Sequence, residues 1–206
     1  MKARRHGCGP FEGRGRLKTE DYERHIVDPT REEILAGYSR ARRDLAALLQ
    51  SAAPADLDRR SDGTRWTNEE LLFHMVFGYM VVRALLPLVH VVSRLPRPVG
   101  RAFAGVLNSA TGPFDVVNYW GSRAAARVYN RRRMSRKLDK TIAALSRRLG
   151  RESSRSLARS MPFPDRWDPF FTPLMTRNDV YAYPTLHFDF HAKQLSLRHP
   201  DAPVES

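Results

Sequence analysis

Between Leu71 and Leu95 the chain reads LLFHMVFGYMVVRALLPLVHVVSRL, and this run limits its folding more than any other. A stretch that apolar has to be buried, either in a protein core or in a bilayer. The bilayer reading is disfavoured by composition. His74, Arg83 and His90 interrupt the run, Pro87 breaks it, and a single span carrying an unpaired arginine is costly. The core reading requires other helices to cover it. Its start is well specified: in RWTNEELLFHM, Thr67 is a good N-cap and Glu70 completes a capping box. Trp66 and Leu71 occupy the two positions of a hydrophobic staple. The helix is predicted to run to about Leu86, with Pro87 kinking or ending it.

Three further segments have helical character. Over 29–50, Pro29 suits a first turn, and Ile34, Tyr38, Ala41, Leu45, Leu48 and Leu49 make one apolar stripe. A long helix is predicted over 114–149 with Gly150 as its C-cap. The last is predicted over 176–197, with Asn178 and Asp179 near its start. The Pro/Gly-rich stretch 97–113 reads as a broken connection with one short helix. Residues 151–172 read as an ordered loop, because Phe163, Trp167, Phe170 and Phe171 do not suit a flexible linker. Four helices and no convincing strand predict an all-α fold, a four-helix bundle with long connections.

The chain has 206 residues, which sets one domain with tails. A basic, poorly ordered tail is expected at 1–27, the helical domain at 28–198 and a short tail at 199–206. The single cysteine, Cys8, excludes an internal disulfide and a Cys-based zinc site. The first 25 residues lack an apolar h-region, so no secretory signal is expected and the cytoplasm is the expected compartment. The net charge is +13, and thirteen Lys/Arg fall within 122–160. Such a patch fits a solvated face, a nucleic acid, an anionic membrane or an anionic small molecule. Nucleic acid is not expected as a partner. No helix-turn-helix, zinc-finger or RNP pattern is present, and Tyr119, Trp120 and Tyr129 are too sparse for a stacking platform.

The histidines carry the chemistry. In HFDFHAKQL, His187 and His191 are four residues apart and share a helix face, with Gln194 placed on the same face by its seven-residue spacing from His187. Two such imidazoles read either as a metal-ligand pair or as core histidines satisfied by hydrogen bonds. Phe188 stands where a zinc protease needs its glutamate base, so protease chemistry is not supported. His74, in the apolar helix, is the best candidate for a third ligand. Gln194 is a candidate to orient a ligand. Arg123, Arg127 and Arg131 are spaced as one stripe that could hold carboxylates, and Asn118, Tyr119 and Trp120 could line a cavity mouth.

RWTNEELLFHM and HFDFHAKQL together resemble the DinB/YfiT-like superfamily of metal-binding four-helix bundles, over about residues 30–197. The first looks like that family's Trp-Ser/Thr helix start with its histidine, the second like its C-terminal HxxxHxxQL motif. The resemblance implies that His74, His187 and His191 hold one divalent metal, zinc or nickel. It also implies an S-transferase or isomerase that uses a low-molecular-weight thiol such as mycothiol. A non-catalytic metal-binding bundle with a stress or scaffold role is the alternative. The expected partner is a small-molecule substrate, no membrane span is expected, and a homodimer stays possible.

Overall fold

A computed structural model describes residues 29–197, so the tails expected at 1–27 and 199–206 lie outside the described residues. Those described fold into eight helices and one two-stranded sheet: α1 (Arg31–Ser51), α2 (Pro54–Asp58), α3 (Asn68–Val92), α4 (Arg97–Ser109), α5 (Thr111–Val128), α6 (Arg131–Leu149), α7 (Ser154–Leu157), β1 (Ser160–Pro162), β2 (Leu174–Thr176) and α8 (Arg177–Ala192). The fold is mostly helical.

Four of the long helices, α1, α3, α6 and α8, begin where a side chain satisfies a free backbone N–H group of the first turn. Capping boxes form at Thr30–Glu33, Thr67–Glu70 and Thr176–Asp179. At α1 the cap is Thr30, so Pro29 precedes the helix instead of opening it. The predicted stripe faces inward, with Ile34, Tyr38, Ala41 and Leu45 buried. α1 packs against α6 and α8, and α3 packs against those same two helices and α5. The core lies among these helices, and Tyr38 crosses it to donate its hydroxyl to the Tyr181 carbonyl at 2.7 Å.

Several predicted boundaries are corrected. α3 does not end at Leu86; it continues through Pro87 to Val92. Pro87 lacks the N–H that would meet the Arg83 carbonyl, but both residues are exposed, so water can take that carbonyl. The single helix predicted over 114–149 is two helices. Asn130 accepts from Arg132 N at 3.3 Å and caps α6, and Glu69 of α3 takes Arg131 N at 3.0 Å. An asparagine with these partners favours a new helix start over continuation. The connection at 97–113 holds α4 in full. The loop at 151–172 contains α7 and β1, and β1 pairs antiparallel with β2, Met161 opposite Met175, both buried. The sequence reading expected no strand there. α8 stops at Ala192, not at 197. Gly150 does cap α6, in a right-handed conformation.

By length and composition α3 could cross a bilayer. Its first half is core: Leu71, Leu72, Phe73, Met75 and Val76 are fully buried. Its second half carries an exposed apolar face at Leu85, Leu88 and Val91.

Candidate metal centre

The start of α3 is tied down from several sides. Thr67 Oγ1 accepts from Glu70 N at 3.3 Å, and Glu70 Oε2 accepts from Thr67 N at 3.1 Å. The other oxygen of Glu70 accepts from Arg123 Nε at 2.9 Å. Asn68, fully buried, donates to the Asp56 carbonyl at 2.7 Å and accepts from Ser196 N at 3.1 Å. Asn68 thereby joins α3 to the turn that follows α8. Asp62 N donates to the Gln194 carbonyl at 2.8 Å and anchors the same turn. These bonds fix the two helices that carry the histidines.

His74, His187 and His191 are all buried, and their rings converge. Ring centroids lie 4.8 Å apart for His74–His187, 4.8 Å for His74–His191 and 4.5 Å for His187–His191. One potential ligand atom from each lies within 4.8 Å of the others, so the cluster could hold a metal ion. Burial pushes the His74 and His187 imidazoles well below their usual pKa, helped by their histidine neighbours. Burial also lowers His191, to about 4. All three are neutral at pH 7, the form that ligates metal.

The second nitrogens bear on the fit. His191 donates Nδ1–H to Gln194 Oε1 at 2.6 Å, which leaves the Nε2 lone pair free. His74 Nδ1 shares a hydrogen bond with the buried Ser122 hydroxyl at 3.2 Å. His187 Nδ1 is buried without a partner and lies against Gly78, where a Cβ would come within 2.8 Å of it. Three neutral imidazoles, two with Nδ1 already engaged, fit a divalent cation. Trp66 covers the group, its ring 4.3 Å from that of His74, and its buried indole N–H has no hydrogen-bond partner.

The cluster lies in the wall of a cavity of about 460 Å³. The other walls come from the second half of α3, from α4 and α5, and from the aromatic segment 161–171. Trp167 stacks on Phe114 at 4.1 Å and donates Nε1–H to the Leu107 carbonyl at 2.8 Å, which fixes this segment. Asp168 lies in the wall, accepting from Phe170 N at 3.0 Å and from the Tyr183 hydroxyl at 2.8 Å. Burial raises the Asp168 pKa against those two bonds.

Of the other sequence candidates, Asn118, Tyr119 and Gln194 line the cavity. Gln194 does so from the turn beyond α8 and not from the helix face that its spacing predicted. Arg123 is paired with Glu70 and lies over the Tyr119 and Trp120 rings, so it braces the start of α3. Arg127 is exposed, Trp120 is 60% exposed, and neither lines the cavity. The predicted arginine stripe is broken, because Arg131 opens α6 after the Asn130 cap. The sequence reading missed Ser122, Gly78, Tyr183 and Asp168. Two of these were reachable by spacing: Ser122 is one turn after Asn118 and Tyr183 one turn before His187. Asp168 was not, since only the fold of its loop brings it to Tyr183.

No curated protein and no solved structure matches this chain. The family model of the DinB superfamily matches residues 37–195, a span that contains all three histidines and ends one residue past Gln194. With that match over most of its length, the chain belongs to the DinB superfamily.

Proposed function

We propose that the protein is a divalent-metal enzyme that joins a low-molecular-weight thiol of the mycothiol type to an electrophilic small molecule. The observation that carries this reading is the convergence of three neutral, buried imidazoles at a cavity wall. In this reading α1, α3, α6 and α8 form the four-helix bundle of the DinB type, and His74, His187 and His191 hold zinc or nickel. Such an ion would supply Lewis acidity, lowering the pKa of a thiol or water that it binds.

The chain's own residues supply the rest. Gln194 holds the His191 proton at Nδ1, and Ser122 sets the His74 ring. Trp66, Tyr119 and the aromatic segment keep water from the reacting groups. The only cysteine is Cys8, so no described residue offers a thiol nucleophile, and the sulfur must be supplied. The thiol gives up its proton, its sulfur forms a bond to an electrophilic carbon, and the electron pair displaced there leaves with the departing group or takes a proton. The cytoplasm, a reducing compartment, suits such a cosubstrate.

Elemental analysis and calorimetry test this. Purified protein should carry about one divalent ion per chain, and His187→Ala or His191→Ala should strip it. Thiol binding should require the metal and release a proton, read from the dependence of binding heat on buffer ionisation enthalpy. Full metal retention by the histidine variants defeats the centre. Equal thiol affinity in metal-free protein defeats the transferase reading.

A further inference from the structure

The cavity extends far beyond the histidines. Its α3 wall runs from His74 through Gly78, Val82, Leu85, Val89 and Val92. This stripe keeps to one side of one helix, and its 18 steps cover about 27 Å at 1.5 Å per residue. Phe103 and Leu107 of α4 and Phe163 of the aromatic segment border the same space. Both carboxylates of the loop and the Arg166 N–H are occupied in holding it together. Asp165 accepts from Asn108 Nδ2 at 2.8 Å, Arg166 N donates to Asn108 Oδ1 at 3.2 Å, and Asp168 is bonded to Tyr183. The histidines and Gln194 sit at the α8 end of the cavity, and beyond Gly78 the α3 wall is wholly aliphatic. Leu85 and Leu88 line the cavity yet are 40% and 44% exposed, while Val82, Val89 and Val92 of the same wall are buried.

A small polar electrophile does not need such a space. We propose that the cavity takes a single-chain amphiphile, its polar, reactive end at the histidines and its hydrocarbon tail along α3 toward Val92. The inference rests on reading the histidine cluster as the reacting end. One acyl chain spans about 15 Å, half of a roughly 30 Å bilayer core, so the 27 Å stripe accommodates a full-length chain. The wall is one helix stripe wide, which suits one tail and not a paired-chain lipid. Apolar side chains left exposed beside a polar centre mark a ligand groove.

The test is a titration of the purified full chain with straight-chain fatty acids of six to eighteen carbons, below their micelle concentrations. It is read by calorimetry or by displacement of an environment-sensitive dye. Affinity should rise about 3–4-fold per added methylene, the equivalent of about 0.8 kcal/mol, and continue rising to roughly sixteen carbons. Leu85→Arg should cut affinity for the long chains at least ten-fold and leave the six-carbon acid unchanged. Leu88→Gln should do the same more weakly. Both positions are part-exposed, so the variants should fold, and unchanged metal content confirms it. Affinity independent of chain length, or a length dependence that Leu85→Arg does not alter, overturns the proposal. So does a dimer that Leu88→Arg dissociates in sedimentation while no chain binds, since the face would then join two copies. Length-dependent binding without any thiol binding sustains the tail site and defeats only the thiol reading. Metal-dependent thiol binding with no length dependence defeats the tail site alone.

Discussion

Gly78 of α3 lies directly against the His187 ring of α8: a Cβ at position 78 would stand 2.8 Å from His187 Nδ1 and 3.3 Å from Cε1. The glycine is in mid-helix, where it costs about 1 kcal/mol relative to alanine on propensity alone. Its lack of a side chain is what lets the two histidine-bearing helices approach this closely. Gly78→Ala therefore sets a helix gain of about 1 kcal/mol against an overpacking cost of about 1–3 kcal/mol. The expected outcome is a net loss of stability in urea melts, with metal affinity falling about 10–100-fold as the ring is displaced. Gly105→Ala is the control: nothing lies within 4 Å of that Cβ, so it should stabilise by up to about 1 kcal/mol. A Gly78→Ala protein that is more stable and retains full metal would show that His187 does not depend on this contact.

The capping box at the start of α3 connects folding to the site. Thr67→Ala removes the bond to Glu70 N and should cost about 1 kcal/mol. Because Glu70 also receives Arg123, the loss should loosen the first turn that presents His74, and metal affinity should fall with it. Chemical denaturation and a metal titration on the same variant check both parts. Unchanged stability would mean that the box contributes nothing measurable.

Acid should destabilise the metal-free protein in a defined window. Above pH 6.5 the three histidines are neutral in the folded and unfolded chains, so they impose no penalty. Below it the unfolded chain takes up protons that the buried imidazoles refuse, and stability falls as pH falls. For His191 the loss continues to about pH 4 and amounts to about 3 kcal/mol. Asp168, whose pKa is raised by burial, acts with the opposite sign near the low end. Urea melts of chelator-treated protein between pH 7.5 and 4.5 should show the decline, and His191→Gln should make it shallower, with His74 and His187 supplying what remains. A stability constant across that range would contradict the burial of the neutral rings.

Local chemistry was legible in the residues themselves. The Thr67–Glu70 box, the inward stripe of α1 and the four-residue spacing of His187 and His191 are short-range patterns, and each appears where the spacing placed it. Boundaries decided by competition were not legible. Whether Asn130 ends a helix depends on Glu69 being across from Arg131, and whether Pro87 is tolerated depends on which side of α3 faces water. The site divides in the same way. Sequence could propose the three histidines and Gln194: the four-residue spacing pairs His187 with His191, His74 stands in the apolar helix, and Gln194 was reached by a helical spacing that the chain leaves at Ala192. Only the packing of α3 against α8 and α5 brought His74 to the other two, set Ser122 and Gly78 beside them, and turned Arg123 away to Glu70. Distant residues meet through burial and close packing, which a one-dimensional pattern does not encode. The cavity is the clearest case, since its walls come from segments spread from Thr64 to Gln194 that no spacing rule relates.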